Sequence, residues 1–436
     1  MSSNYILNII RKFKAEIPYA IVLIASFLAF YPSQFTIKDE VSYFNEVLMI
    51  TGDFDASNDN IRAKYPLGTA MLATPFYLLF GNTGVFLLSF TCLLLSWVIL
   101  YMCLEKFKVN TIFSYFIFLY PASLTLSRSL MSDMPALLLS SIFLFYWLNK
   151  KCKHRELVLG FIAGISALFR EPMIILFSPF LLFIFIQGNI KSKLLLSSSV
   201  LFGISFRFYS SHYFWNDWLF AKGVNGSELS WSFDQFGFNL MLYSLFLFAF
   251  IPLKVRPIFR EVKGEFFTFR LAMALYIIFF CFYEYNGRSA GLLKSIILGG
   301  RFMIPILPFF IFIIGSYFTD IFISKRKIIF AKYLVAVIFF SLHYLMDVEN
   351  KKLNQIVRCL KDNTSNDEII YTNNKRQAWK LINRLNEMNE SYVKETMIYS
   401  DNCCDIIFDK SGLKSAPMEC SFEMLDNSKI TVQYSH

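Results

Sequence analysis

The amino-acid sequence predicts an all-α polytopic membrane protein of about eleven transmembrane helices, followed by a small C-terminal α/β domain outside the membrane. Hydrophobic residues make up 56% of the 436 residues, and 51 residues are phenylalanine, a composition too apolar for a soluble protein of this size. Long apolar runs recur along most of the chain. They stop near Asp347, where the composition becomes polar, so a domain boundary is predicted there.

Each predicted span is an apolar run long enough to cross about 30 Å of hydrocarbon as a helix. A shorter apolar piece, 67–80, lies between Pro66 and Gly81 and suits an interfacial or half-inserted helix better than a full span. The eleven long runs begin near Ile17, Gly84, Val109, Pro135, Leu157, Pro172, Leu194, Gly237, Phe267, Arg301 and Ile328.

The distribution of basic residues predicts how these spans are oriented in the membrane. With the N-terminus in the cytoplasm, the cytoplasmic segments contain 20 Lys and Arg residues, whereas the outer segments before the C-terminal tail contain nine. The net charge of +10 is therefore explained mostly by topology, and the basic residues are too dispersed to form a nucleic-acid surface. The first span has no small-residue cleavage site and is interpreted as a retained signal anchor.

The change in composition predicts two domains. Residues 1–346 form the transmembrane domain, with a large outer loop at 36–83, and residues 347–436 form a small soluble domain on the outer face. The tail combines helical patterns at 351–360 and 376–386 with strand-like runs at 368–372 and 405–408. Disulfides and free thiols are both compatible with its four cysteines, Cys359, Cys403, Cys404 and Cys420.

Asp39 and Glu40 form a carboxylate pair directly after the first span. Burying such a pair in hydrocarbon is costly, so its position indicates a wetted site at the membrane surface. Asp39, Tyr43 and Glu46 are spaced i, i+4 and i+7, and in a helix they would share one face. An ordinary solvated loop is the alternative interpretation of this stretch.

The same outer loop continues to Lys64 and Tyr65, after which Pro66 and Gly68 turn the chain back toward the membrane. Lys64 would then lie at headgroup height, where its ammonium can contact a lipid phosphate. An interfacial lysine whose side chain merely reaches water is the alternative.

A very short outer turn, 127–135, connects the third and fourth spans. Asp133 lies at the start of the next helix, where the helix dipole favours a carboxylate, so a capping role and a functional role are both open. Arg128 in the same turn could form a salt bridge with Asp133 or contact a phosphate.

A third outer motif, Leu298–Pro308, places two glycines before Arg301. Glycines at a loop–helix junction let an anion approach the backbone, and Arg301 can bind phosphate in bidentate geometry. An interfacial arginine is the alternative. Arg170, followed by Glu171 at another outer helix boundary, adds a cation and a carboxylate at the same face.

Metal binding has only two weak candidate ligands, Glu40 and His212. His212 is the one histidine placed to help an Asp or Glu hold a metal ion on the outer face, and interfacial packing is its alternative role. The sequence contains no Cys/His cluster, no nucleotide-binding loop of the GK[ST] type and no nucleophile elbow, so it gives no support for ATP-driven transport.

In their order and shared outer face, the three motifs resemble those of the GT-C superfamily of integral-membrane glycosyltransferases. The similar branch holds the protein O-mannosyltransferases and the lipid A aminoarabinose transferases, and the resemblance covers roughly residues 17–345. Asp39, Glu40 and Tyr43 are similar to the Asp-Glu segment of that branch's first outer loop. Residues 64–68 resemble its basic-aromatic-Pro segment, 130–135 its second acidic turn, and 300–305 a late-helix motif of bacterial members.

This resemblance implies an inverting glycosyltransferase that moves a hexosyl or pentosyl group from a polyprenyl-phosphate-linked donor to an acceptor on the periplasmic face. It implies that Asp39 is the catalytic base and that Glu40 binds sugar, base or a divalent metal ion. The residues implied to bind the donor phosphate are Lys64, Arg128 and Arg301, and those in supporting roles are Tyr43, Tyr65, Asp133 and Arg170.

Two other classes of protein also handle lipid-linked sugars. A flippase or transporter of lipid-linked saccharides should carry charged residues deep within its spans, and the sequence has few of them apart from Arg207 and Glu284. An oligosaccharide ligase or polymerase usually has a long late outer loop, which is missing here. The sequence predicts a bacterial cytoplasmic membrane location and no nucleic-acid partner. It leaves the sugar, the acceptor, the oligomeric state and the role of the tail open.

Overall fold

A computed structural model describes the chain at 13–32, 38–53, 65–150, 152–216, 218, 232–251, 263–283, 299–318, 325–363, 370–372, 397–399, 418–423 and 429–434. The elements described up to residue 363 are helices, and four short strands follow. The all-α class predicted for the part of the chain before the tail is therefore confirmed within these ranges.

Fifteen α-helices lie in the described ranges, and several are joined by short 3-10 turns. The α-helices are α1 (Ile17–Ala29), α2 (Lys38–Thr51), α3 (Gly68–Phe80), α4 (Phe86–Lys106), α5 (Phe116–Leu119), α6 (Pro121–Leu126), α7 (Asp133–Leu148), α8 (Arg155–Ile165), α9 (Met173–Gln187), α10 (Ile190–Trp215), α11 (Phe236–Leu242), α12 (Ser244–Leu247), α13 (Lys263–Cys281), α14 (Leu307–Tyr317) and α15 (Lys325–Asn363). The 3-10 helices are Lys14–Glu16, Asn82–Val85, Thr111–Tyr115, Ser166–Leu168, Phe233–Gln235, Phe248–Phe250 and Arg301–Ile306.

Two helical stretches among these are both long and apolar enough to cross a membrane, Asn82–Lys106 and Ile328–Val348. The pair Phe233–Leu242 and Ser244–Phe250, bent by 73°, adds a third if it is counted as one span. Other apolar helices are shorter than the roughly 20 residues that cross a bilayer, among them α3 with 13 residues, which coincides with the short apolar piece in the sequence. The number of eleven spans stays a prediction.

Helix α7 lies in the core and contacts α4, α8, α14 and the 3-10 helix Arg301–Ile306. Its buried face is aromatic: Phe143 stacks on Phe177 with ring centroids 4.2 Å apart, and Trp147 meets Phe180 edge to face at 4.8 Å. These four side chains are fully buried. Interlocked rings of this kind supply the close packing that helix association in a membrane requires, and they account for part of the unusual phenylalanine content.

Charged groups of opposite sign lie at the two ends of α7. Asp133 is its first residue, and at the other end Arg155 Nη2 donates to the carbonyl of Trp147 at 3.0 Å. Lys106 Nζ donates to the carbonyl of Leu148 at 3.4 Å and to Asn149 Oδ1. This arrangement complements the helix dipole, with an anion at the N-terminus and cations at the C-terminus.

Helices α8 and α10 approach each other through small residues. A Cβ placed on Gly203 would lie 2.7 Å from the amide nitrogen of Ile165 and from the carbonyl oxygen of Phe161. Gly164 faces the same contact, where a Cβ would lie 2.9 Å from the amide nitrogen of Ile204. The two backbones can therefore pack this closely only because neither position carries a side chain.

A buried ion pair connects the start of α1 to α15. Lys332 Nζ lies 2.6 Å from both carboxylate oxygens of Glu16, which also accepts a hydrogen bond from the Tyr115 hydroxyl. Further along, the ring of Tyr19 lies 5.4 Å from that of Tyr333. The first and last of the predicted spans therefore contact each other near their starts.

The chain divides into two compact units. One consists of Met1–Ala29 and Val41–Phe340, and the other of Phe30–Glu40 and Ser341–His436. The second unit contains the four strands, β1 (Ile370–Thr372), β2 (Met397–Tyr399), β3 (Met418–Glu423) and β4 (Lys429–Tyr434). The predicted helix 351–360 falls within α15, and the strand-like run 368–372 overlaps β1. The runs 376–386 and 405–408 lie outside the described residues.

The strands form one mixed sheet in the order β2-β1-β4-β3. β1 pairs in parallel with β2, with Ile370 opposite Met397, and antiparallel with β4. β3 and β4 are antiparallel, with Cys420 opposite Val432. The assignment of the tail as a separate domain on the outer face stays a prediction, as do its disulfides, because Cys403 and Cys404 lie outside the described part.

Removing one partner of the Glu16–Lys332 pair should destabilise the protein, because the remaining charge would be buried without compensation. Glu16→Gln and Lys332→Met are each expected to reduce the unfolding free energy by about 3 kcal/mol. The double variant should lose clearly less than the sum of the single losses. Unfolding in detergent measures all three, and additive losses would contradict the pairing.

Lys351→Met is the matched control for this measurement. Lys351 pairs with Asp347 at 2.8 Å, but its side chain is 73% exposed. Water and salt screen an exposed pair of this kind, so it contributes little to stability and the control should unfold close to the wild type.

Candidate functional site

Residues from the three outer sequence motifs meet around a buried ion pair between Asp133 and Arg170. Arg170 Nη1 donates to Asp133 Oδ1, and the exposed fraction is 9% for Arg170 and 1% for Asp133. Asp133 is therefore a buried, ion-paired residue and not a solvent-exposed capping residue of α7. The structure gives Asp133 a partner, Arg170, that was not paired with it from the sequence.

Aromatic rings surround the Arg170 guanidinium. It lies 5.0 Å from the ring centroid of Phe302 and 5.7 Å from that of Phe280, and these two rings stack on each other at 4.9 Å. Burial alone lowers the pKa of Arg170, but the Asp133 carboxylate, assisted by Tyr276 and Tyr43, raises it, and the net shift is upward. Arg170 therefore stays charged although little water reaches it.

Arg301 brings a second guanidinium to the same aromatic cluster. It begins the 3-10 helix Arg301–Ile306 and lies 5.2 Å from the Phe302 ring centroid. Its charge opposes that of Arg170 and lowers the Arg170 pKa. The preceding residue is fixed as well, since the Tyr120 hydroxyl donates to the Gly300 carbonyl at 2.6 Å. Arg301 therefore adds a cation to a cluster in which Asp133 compensates the charge of Arg170.

Tyr43 brings helix α2 to this cluster. Its buried phenol lies within hydrogen-bonding reach of the Ser132 hydroxyl and in the field of Asp133, and burial raises its pKa well above the usual value. Tyr65 stacks on Tyr43 with ring centroids 4.7 Å apart. These two predicted supporting residues therefore contact each other.

The close approach of the chain after Tyr65 depends on a glycine. Gly68 begins α3, and a Cβ at this position would lie 2.6 Å from the carbonyl oxygen of Leu168. Leu168 is two residues before Arg170. The Pro-Leu-Gly turn that the sequence places at the membrane thus brings α3 against the segment that carries Arg170.

A second ion pair involves Glu171, the residue that follows Arg170. Glu171 Oε1 is 3.4 Å from Arg207 Nη2, and Arg207 Nη1 donates to the Ser211 hydroxyl one turn further along α10. Arg207 also attracts the carboxyl of Glu46, which is fully buried. Charges therefore alternate from Asp133 through Arg170 and Glu171 to Arg207 and tie α7 to α10, and the Glu46 carboxyl of α2 lies in the field of Arg207.

Asp39 and Glu40 lie in the first turn of α2, which begins at Lys38. Asp39 is partly exposed and Glu40 is fully buried. Asp39 and Tyr43 are one helical turn apart on the same face, as the spacing predicts. Both carboxylates belong to the unit that contains Phe30–Glu40, whereas Tyr43 belongs to the unit of the ion pairs.

Two of the three predicted phosphate ligands are among the described residues. Arg301 is at the aromatic cluster, and Arg128 is buried, at 3% exposure, in the turn that leads into α7. Lys64 lies outside the described part of the chain, one residue before Tyr65.

The described residues contain no group of three or more His, Cys, Asp and Glu side chains that could hold a metal ion. His212 is partly buried and stacks flat on Trp218, with ring centroids 3.9 Å apart. This contact is of the packing type that was the alternative to metal binding for His212.

Several residues of the site were not identified from the sequence. Arg207 carried one available signal, because a cation within a long apolar run marks a functional or structural site. Tyr120 and Tyr276 carried none, since a tyrosine in an apolar helix is unremarkable by itself. Glu46 was visible only as a member of the Asp39–Tyr43 face.

The fold of these helices is similar to that of a solved structure. That structure is the crystal structure of ArnT from Cupriavidus metallidurans bound to undecaprenyl phosphate. The TM-score is 0.50 and the identity 12%, over 81% of this chain and 73% of that chain. The apo state of the same protein matches with a TM-score of 0.48 and 14% identity, over 82% of this chain and 67% of that chain. No protein-family model and no curated protein matches the sequence.

The Asp133–Arg170 pair should show strong energetic coupling. Asp133→Asn and Arg170→Met are each expected to reduce the unfolding free energy by about 3–5 kcal/mol, because each leaves one buried charge without its partner. The double variant should recover part of that loss. A double-mutant cycle on thermal unfolding in detergent measures the coupling, and a value near zero would show that the two groups do not interact.

Proposed function

We propose that this protein is a GT-C-type glycosyltransferase that moves a sugar from a polyprenyl-phosphate-linked donor to an acceptor at the outer face of a bacterial cytoplasmic membrane. The observation that carries the proposal is the convergence of Arg170 and Arg301 on Phe302 beside Asp133. The similarity in fold to an ArnT structure that contains undecaprenyl phosphate supports the same class of donor.

In this proposal the cationic residues bind the phosphate of the donor. Arg301 grips it as a bidentate ligand, and Arg128 and Lys64 complete the site. Arg170 remains paired with Asp133, and this buried pair holds in place the aromatic cluster that Arg301 also contacts. As the bond to the sugar breaks, negative charge grows on the phosphate, and fixed cations stabilise that charge more than they stabilise the bound donor.

Asp39 acts as the general base. An acceptor hydroxyl or amine attacks the anomeric carbon from the face opposite the phosphate and transfers its proton to the Asp39 carboxylate. The bond between the anomeric carbon and the phosphate oxygen breaks, and polyprenyl phosphate leaves with the bonding electrons. A single displacement of this kind inverts the anomeric configuration.

The neighbouring residues orient the sugar and exclude water. Tyr43 and Tyr65 provide a stacked aromatic wall one turn from Asp39, and Glu40 contributes a second carboxylate in the same turn.

Replacing the proposed base should abolish transfer. Asp39→Asn is expected to lower the rate of undecaprenyl phosphate release from a synthetic undecaprenyl-phosphate sugar by at least about 10²-fold, the lower end of the usual contribution of a general base. Purified protein in liposomes is used, with Asp234→Asn, an exposed aspartate in the 3-10 helix Phe233–Gln235, as the matched control.

Two results would count against this assignment. Wild-type turnover by Asp39→Asn would exclude Asp39 as the base. No release by the wild type with any donor, together with protein-dependent movement of intact lipid-linked sugar across the bilayer, would indicate a flippase instead.

Arg301 should contribute to binding through the donor phosphate specifically. In Arg301→Gln, inhibition by free undecaprenyl phosphate should weaken about tenfold or more, since a charge-assisted hydrogen bond contributes roughly 1.5–3 kcal/mol. Undecaprenol lacks the phosphate and serves as the control ligand. Equal weakening for both compounds would mean that Arg301 shapes the site without binding the phosphate.

A further inference from the structure

Glu46 is a buried carboxyl group with one satisfied and one unsatisfied oxygen. Its Oε1 accepts a hydrogen bond from the backbone N–H of Tyr65 at 2.6 Å. Its Oε2 is buried as well, and no described residue forms a hydrogen bond with it. A buried acceptor of this kind needs an explanation, because native structures rarely leave one unpaired.

The surroundings of Glu46 favour its neutral form. Burial away from water raises the pKa of the Glu46 carboxyl well above the usual value of 4.5. The Tyr65 N–H and the charge of Arg207 oppose that rise without cancelling it. Arg207, the charged group that faces Glu46 from α10, is already engaged by Glu171 and Ser211. The ring of Tyr43, on the same helix as Glu46, carries no charge at ordinary pH.

Through Tyr65, Glu46 controls the position of the chain at the candidate site. Tyr65 stacks on Tyr43, which lies in the field of Asp133, and Tyr65 directly follows Lys64 in the sequence. The hydrogen bond from Tyr65 N–H to Glu46 spans 19 residues of chain. It therefore fixes the end of the outer loop to the middle of α2.

We propose that neutral Glu46 is a positioning residue that holds Tyr65 against Tyr43 at the candidate site for donor binding. This inference rests on the proposed function. Ionisation of Glu46 places a negative charge on an oxygen that has no donor, which pulls Arg207 away from Glu171 or draws water into the core. Either response displaces Tyr65.

The proposal gives a definite dependence on pH. The contribution of Glu46 to the unfolding free energy is fully present below the pKa of this carboxyl in the unfolded chain, about 4.5. It is lost as the pH rises through the higher pKa that Glu46 has in the folded protein. Transfer activity should decline over the same alkaline limb. Glu46→Gln, which keeps the acceptor for Tyr65 N–H but cannot ionise, should remove this contribution to both profiles.

The experiment compares the wild type, Glu46→Gln and Glu46→Ala, with Glu156→Gln on α8 as the matched control. Glu46→Ala should raise the KM for undecaprenyl-phosphate sugar about tenfold with a smaller change in kcat, since it loses one buried hydrogen bond. Glu46→Gln should restore the KM. The control should keep the wild-type KM and the wild-type decline with pH.

Two independent readouts separate this proposal from the proposed function. Melting temperature against pH requires no substrate, and an identical pH dependence in the wild type and Glu46→Gln would overturn the neutral state of Glu46. In the turnover assay, an unchanged KM in Glu46→Ala would overturn the positioning role. Absence of any turnover by the wild type would reject the transferase itself, and the positioning role with it.

Discussion

The buried pair between Asp133 and Arg170 is the interaction on which the arrangement of the site depends. A charge in an environment with little water is tolerated only beside a partner, so each group fixes the other. Asp133 begins α7, and Arg170 lies between α8 and α9. The pair therefore sets where the N-terminal end of α7 lies against two other helices, and Phe302 and Phe280 pack on the guanidinium.

Polar contacts within the aromatic core also select one arrangement of the helices. Packing among Phe143, Phe177 and their neighbours is permissive, because rings can interlock in more than one way. Ion pairs and hydrogen bonds are directional, so they select one arrangement. The alternating charges from Asp133 to Arg207 and the separate Glu16–Lys332 pair fix the register of helices whose apolar surfaces would specify it less sharply.

Much of the fold was predictable because it depends on local pattern. The short apolar piece before Gly81 forms α3, and Asp39 and Glu40 lie in the first turn of a helix, as their spacing indicates. The partner of Asp133 was not predictable in this way. Arg128, five residues away, was the nearest candidate in the sequence, whereas Arg170 is 37 residues away and is brought close only by helix packing.

The sequence by itself determined the membrane class, the helical character and the three outer motifs with their charges, because hydropathy and periodicity are local properties of the chain. Only the tertiary structure decided which charges meet and how much water reaches them. Glu46 illustrates the difference: its place on the Asp39–Tyr43 face follows from helical spacing, but its neutral state follows from burial beneath Tyr65. Desolvation is a property of the packed molecule, and no single segment of sequence contains it.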